Sequence, residues 1–275
     1  MAMVRDDQRM TAGRRHVRRP AALVMMLAGL ALACMFGVVS KLEASLDEGG
    51  VGAQVLVGAD DDNVNNPAIQ PPNTAADQSL NNADVLLGGL GHDVLIGLLG
   101  SDVLRGGPGN DFLVGGTEQG VAPNSDIIFG EAGHDVNIWA GGDGSDAFIG
   151  GPGIDAMVFG TIDRDASNIP VLSAPQGAYP QGVPTANVTG QGGFCTLERV
   201  ADPAFGFQWL VRFFVRSTGA LAVTIRLAEV EQVFCTSQAG GEITYADLTL
   251  PNPQFVVIPL AAVPQANALV ALSIR

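Results

Sequence analysis

The sequence is poor in aromatic residues, in histidine, in cysteine and, beyond its first forty-one positions, in positive charge. Aromatics make up 6% of a chain that is 47% hydrophobic, so any core must be mainly aliphatic. With 36 glycines and 16 prolines, many tight turns are expected in place of long helices. Seven of the 14 basic residues fall within positions 1–41, which leaves 7 basic against 26 acidic residues afterwards, a balance of −19. A surface of that sign repels nucleic acid and anionic lipid and attracts cations, which excludes a nucleic-acid partner. The missing motifs exclude further classes. There is no H-E-x-x-H zinc-protease signature, no G-x-S-x-G nucleophile elbow and no Gly-Lys-Ser/Thr phosphate loop. No catalytic motif is recognisable, and the chain is expected not to be an enzyme.

One long apolar run exists, residues 21–40, directly behind the arginine cluster GRRHVRR. It reads as a signal peptide or as an N-terminal membrane anchor, helical in either case. Ala31 and Ala33 offer a cleavage site ahead of Cys34, and a lipid-modified Cys34 is a third option. Each option keeps the positive charge inside and places the remainder outside the cytoplasm. The membrane is then met only through this segment, if it is not cleaved. The remaining cysteines, Cys195 and Cys235, share the local frame Phe-Cys-Thr. In an oxidising compartment they pair; the alternative is two buried free thiols.

What is abundant is a repeat. GGPGNDFLV at 106–114 returns as GGPGIDAMV at 150–158, and the interval resolves into units of nine. They are GGLGHDVLI (88–96), GLLGSDVLR (97–105), GGPGNDFLV (106–114), the interrupted GGTEQGVAPNSDIIF (115–129), GEAGHDVNI (130–138), GGDGSDAFI (141–149) and GGPGIDAMV (150–158). A worn leading unit, SLNNADVLL (79–87), adds Asp84. Asp93, Asp102, Asp111, Asp126, Asp135, Asp146 and Asp155 hold one phase. Glycine at the first, second and fourth places allows tight turning with carbonyls pointing inward. Those glycines are Gly88, Gly89, Gly91, Gly97, Gly100, Gly106, Gly107, Gly109, Gly133, Gly141, Gly142, Gly144, Gly150, Gly151 and Gly153, with Asn124 standing in at one fourth place. Carboxylates beside backbone carbonyls make an all-oxygen cage of the kind Ca²⁺ prefers. The last three places of each unit read as a short strand whose middle residue enters a shared core. One unit alone can neither complete the cage nor bury that residue, so the units must stack.

The segment 88–158 resembles the haemolysin-type (RTX) calcium-binding repeat, G-G-x-G-x-D-x-U-x. The resemblance implies a right-handed parallel β-roll with two nonapeptides per coil and several Ca²⁺ ions between turns two units apart. It pairs Asp93 with Asp111, Asp102 with Asp126, Asp111 with Asp135, Asp126 with Asp146, and Asp135 with Asp155. It also implies a secreted or cell-surface bacterial protein. Departures are Leu98 and Glu131 at the second glycine, Asn137 at a core-facing place, an insertion at 117–123 expected to break the fourth turn, and Trp139-Ala140, expected to disturb the next. His92 and His134, at the variable fifth place, read as solvent-facing turn residues.

The expected fold is all-β: a β-roll followed by a small antiparallel β domain. Its organisation reads as 1–40 signal or anchor, 41–78 acidic and polar linker, 79–160 calcium-binding roll, 161–192 Pro/Gly-rich linker and 193–275 C-terminal β domain. Trp209, Val211, Phe213 and Val215 alternate on one apolar face, and Leu221, Val223, Ile225 and Leu227 on another, which reads as a hairpin. This region is either a cap for the roll or an independent disulfide-bearing domain. The primary functional expectation is a non-enzymatic calcium-binding protein contacting a cell-surface or matrix component. The alternatives are an adhesin or matrix subunit with a defined partner, and a hydrolase or hydrolase accessory using Asp202, Glu229, Glu231 and Asp247.

Overall fold

Short strands separated by glycine-rich turns stack edge to edge, because no strand of three or four residues buries its central side chain alone. The computed structural model describes residues 46–48, 55–57, 84–116, 125–166, 169–200, 206–264 and 266–275. The apolar run 21–40 lies outside them, as do Asn124 and Asp202. Among the described residues no helix is long and apolar enough to cross a membrane.

The strands are β1 (Leu46–Glu48), β2 (Val55–Val57), β3 (Val85–Leu87), β4 (Val94–Ile96), β5 (Val103–Pro108), β6 (Phe112–Val114), β7 (Ile127–Ala132), β8 (Val136–Trp139), β9 (Ala147–Ile149) and β10 (Ala156–Phe159). After them come β11 (Thr161–Ile162), β12 (Ala186–Asn187), β13 (Gly193–Arg199), β14 (Trp209–Val215), β15 (Leu221–Ala228), β16 (Gln232–Thr236), β17 (Ile243–Asp247), β18 (Val256–Ile258) and one short helix, α1 (Ala268–Ser273). Up to β10 the odd strands stack in parallel in one sheet and the even strands in parallel in a second. Among the described residues the result is a parallel β-solenoid joined to antiparallel strands, all-β as expected, with almost no helix.

The middle residue of each repeat strand enters the lumen. Leu86, Leu95, Leu104, Leu113, Ile128, Phe148 and Met157 are all fully buried in one cluster. The insertion at 117–123 does not break the register: Val103 pairs with Ile127 and Leu104 with Ile128. Residues 117–124 lie outside the described residues, and β7 resumes the stack in phase after them. The solenoid also begins earlier than expected. β1 and β2, in the stretch read as a linker, pair in parallel with β3 and β4, with Leu56 opposite Leu95.

The two sheets differ outside the lumen. Even strands from β4 to β10 are buried on both faces, whereas β3, β7 and β9 are only half-buried on their outer face. The stretch read as the second linker lies over the even sheet, with Tyr179, Val183, Ala186 and Val188 buried there beside Leu269 and Val270 of α1.

The C-terminal strands continue the same sheets. β15 pairs in parallel with β9, then runs antiparallel to β14 in the expected hairpin, and β14 pairs with β13. β16 pairs in parallel with β10, then β17 and β18 follow antiparallel. Cys195 and Cys235 form a disulfide with Cα atoms 6.1 Å apart, linking β13 of one sheet to β16 of the other.

Two outcomes follow from this packing. Asn137 is buried in register with Leu113 and Met157, and neither of its amide atoms has a hydrogen-bond partner. Asn137→Leu removes that burden and should raise the unfolding free energy by about 1–3 kcal/mol, measured by urea denaturation in calcium. Replacing both Cys195 and Cys235 by serine frees a loop with a sequence separation of 40. On the chain-entropy estimate the same measurement should fall by about 4 kcal/mol.

Candidate metal centre

Each turn places its aspartate directly before a strand, so stacking the strands stacks the carboxylates. Turns from odd to even strands carry Asp93, Asp111, Asp135 and Asp155; turns on the opposite edge carry Asp84, Asp102, Asp126 and Asp146. All eight are at most 2% exposed. In the first column Asp93 N donates to Asp111 Oδ1 at 2.8 Å, Asp111 N to Asp135 Oδ1 at 2.8 Å, and Asp135 N to Asp155 Oδ1 at 2.8 Å. In the second, Asp84 N donates to Asp102 Oδ1 at 2.8 Å, Asp102 N to Asp126 Oδ1 at 2.7 Å, and Asp126 N to Asp146 Oδ1 at 3.0 Å. The five pairs given by the repeat phase therefore meet, including those that span the insertion.

The second carboxylate oxygens face the glycines. A β-carbon added at Gly106 would lie 2.3 Å from Asp111 Oδ2 and 2.9 Å from the Gly130 carbonyl oxygen. At Gly130 it would meet Asp135 Oδ2 at 2.4 Å and the Gly150 carbonyl at 2.7 Å. Glycine is thus required at Gly88, Gly97, Gly106, Gly130 and Gly150, where carboxylate and carbonyl oxygens converge on the α-carbon, whereas a β-carbon at the first-place Gly141 would meet only the Gln191 side chain, at 3.6 Å. At the second place the backbone is left-handed; Gly107 has φ +103°, and Leu98 and Glu131 adopt φ 74° in the same role. Burial of Leu98 and the ion pair of Glu131 with Arg105 accompany that strain.

The Oδ2 atoms of Asp111, Asp135 and Asp155 are buried and make no hydrogen bond. A buried anionic oxygen left so is costly. Burial, reinforced by Asp135, Asp93 and Glu131, pushes the Asp111 carboxyl up to about 8 despite the bond from Asp93 N. Burial, with Glu131 nearby, lifts Asp135 to about 7. Burial, with Asp135, Glu231 and Glu229 adding negative charge, lifts Asp155 to about 8. Hard, anionic, water-excluded oxygens beside backbone carbonyls fit a calcium ion and offer no soft donor.

Several residues of these turns escaped the sequence reading. Asp143 is buried, and its carboxylate lies with those of Asp126 and Asp146 so that one oxygen of each falls within 4.8 Å of the others. Its only signal in the sequence is an acidic residue at a variable third place. Gly115 and Gly130 hold first places in their units, and a β-carbon at Gly115 would meet Asp126 Oδ2 at 2.4 Å. The fifth places, half-exposed or exposed, also form a second ladder. His92 Nδ1 accepts from Asn110 N, Asn110 Oδ1 from His134 N, and His134 Nδ1 from Ile154 N, at 2.8, 2.9 and 2.9 Å. Both imidazoles thus act here as hydrogen-bond acceptors between coils. The covering layer also grips the first column: Asn267 Nδ2 donates to the carbonyls of Asp135 and Ile154, and the Tyr179 hydroxyl to that of Asn110.

Residues 81–118 match the haemolysin-type family of RTX calcium-binding nonapeptide repeats, in four copies. Comparison of the chain with curated proteins and with solved structures returns no significant match. The stacking geometry of the matched segment continues unbroken to Asp155. The chain therefore carries RTX calcium-binding nonapeptide repeats, wound as a parallel β-solenoid.

Proposed function

We propose that this is an extracytoplasmic calcium-binding protein, secreted or held at a bacterial cell surface, whose right-handed β-roll folds around several Ca²⁺ ions. The observation that carries the reading is the pair of buried aspartate columns with second oxygens turned toward backbone carbonyls. Asp93, Asp111, Asp135 and Asp155 would hold ions along one edge, and Asp102, Asp126, Asp143 and Asp146 along the other. Calcium supplies the positive charge that converts repulsion within each column into attraction. The glycines keep the carbonyls within reach, and the lumen leucines fix the spacing between turns. Folding is then linked to the metal, which stabilises only the stacked state. The arginine-flanked apolar run and the disulfide between sheets support a destination outside the cytoplasm.

We read its action as contact with a cell-surface or matrix component, not catalysis. Glu231 Oε2 is engaged by Asp155 N, and Asp247 Oδ1 by the backbone and hydroxyl of Thr249, so these carboxylates are committed to structural bonds.

Two measurements test the calcium reading. Adding millimolar Ca²⁺ to the EDTA-treated mature chain should increase its far-UV β signal, with a calorimetric stoichiometry of several ions; Asp111→Asn should lower that stoichiometry. An unchanged spectrum without binding heat would refute it. The second is a pH dependence of opposite sign with and without metal. A carboxyl raised from 3.8 to about 7 or 8 on folding stabilises the metal-free fold fully below about pH 4 and loses that contribution as pH rises through 7–8. In EDTA the melting temperature should therefore fall from pH 5 to 9. In saturating calcium it should rise up to about pH 8, because protons and metal compete for the same oxygens.

A further inference from the structure

The first aspartate column does not stop at the last repeat. β16 pairs with β10 so that Gln232 stands opposite Ala156, which sets Glu231 where the next coil would place its aspartate. Asp155 N donates to Glu231 Oε2 at 2.8 Å, the bond that every earlier member of the column makes to its successor. The next first-place residue has a counterpart too. Ala228 pairs with Ile149, Gly150 N donates to the Ala228 carbonyl, and Glu229 follows with φ 52°, left-handed like the second-place residues of the repeats. A β-carbon on Gly150 would lie 2.1 Å from the Glu229 carbonyl oxygen and 2.5 Å from Asp155 Oδ2. This is the same convergence found at Gly106 and Gly130. The cap turn 229–231 thus reproduces the oxygen-presenting parts of a six-residue repeat turn in three residues, with a longer glutamate side chain covering the shorter path.

Asp155 is fully buried, and its Oδ2 points into this junction without a hydrogen-bond partner. Asp155, Glu231 and Glu229 bring negative charge together there, with Asp247 on the neighbouring strand β17. Nothing cationic among the residues acting on Asp155 or Glu231 offsets it.

We propose that a further calcium ion binds between the last repeat turn, 150–155, and the cap turn, 229–231, held by Asp155 Oδ2, the Glu231 carboxylate and the Glu229 carbonyl oxygen. The site rests on the calcium reading of the repeats but lies outside them, and it makes closure of the roll by its cap metal-dependent.

The test uses the mature chain with its disulfide intact. Glu231→Gln keeps an acceptor for Asp155 N and nearly the same volume while removing the anionic ligand. Glu229→Gln changes a neighbouring charge but leaves the backbone carbonyl, and serves as control. By calorimetric titration with Ca²⁺, Glu231→Gln should bind one ion fewer than wild type, or bind its last ion at least tenfold more weakly; Glu229→Gln should retain the full count. In saturating calcium Glu231→Gln should lower the melting temperature by several degrees. Relieving like-charge repulsion in a metal-free junction would raise it, so failure of this variant to fold in calcium also supports the site. An unchanged ion count with an equal or higher melting temperature overturns the proposal. A wild-type chain that binds no calcium overturns the repeat reading and this site with it.

Discussion

Carboxylates stacked one strand spacing apart and shut off from water are the constraint to which the rest of this structure answers. Neighbouring coils sit about 4.8 Å apart. Two unit charges at roughly that separation repel by about 3 kcal/mol at an effective dielectric constant of 20. Each aspartate in a column faces such a neighbour above, below or on both sides. The backbone N–H bonds along the ladder satisfy one oxygen of each carboxylate after the first in its column and hold it in place, yet they cannot remove its charge. Neutralisation must come from protons or from a cation. The acidic composition, the glycines that bring carbonyls to the same point and the raised carboxyl values are three expressions of that requirement.

Local spacing made the columns legible before any coordinates. Aspartates at one phase of a nine-residue period can meet only if every second unit returns to the same edge, and the five pairs follow. The insertion at 117–123, expected to break the fourth turn, leaves the ladder intact. Lengthening a surface loop costs little, since closure entropy grows only with the logarithm of its length, so Asp126 can resume the phase after it. The first coil was hidden for the opposite reason. GGVGAQVLV at 49–57 has the glycines and the strand, but Gln54 occupies the aspartate place and 26 residues separate Val57 from Asp84. A reading keyed to charge passes over a unit that retains only the backbone signature.

The places of Asp143 and Glu231 beside the columns were illegible for a different reason, because each is set by contacts remote in sequence. Asp143 accepts from Gly116 N, 27 residues earlier, and Glu231 accepts from Asp155 N, 76 residues earlier. The Pro- and Gly-rich stretch 161–192 likewise has the composition of a linker, yet Ile162, Tyr179, Val183, Ala186 and Val188 within it are buried in the core. Its few large residues, Tyr179 and Val183 among them, are spaced by turns rather than by a helix or strand period, so no periodicity marks them. What calls for a covering layer is the even sheet, whose strands are apolar on both faces and would otherwise expose Val94, Phe112, Val136 and Val158.

The two columns end differently, and the difference follows from how a solenoid is closed. An open parallel stack presents unpaired N–H and C=O groups at its last coil, which another chain can extend. Here the odd sheet is continued by β15, which passes beside β9 without making a turn; Ile225 rather than a carboxylate takes the place beyond Asp146 and is buried in the core. The second column therefore ends inward, with Asp143 drawn from within its own last turn. The even sheet is continued by β16, which the chain reaches through the turn 229–231, so the first column gains Glu231. The disulfide then ties β13 to β16 across the two sheets at that same end. Edge protection, covalent closure and the last carboxylate of the first column thus depend on one stretch of chain, 228–236.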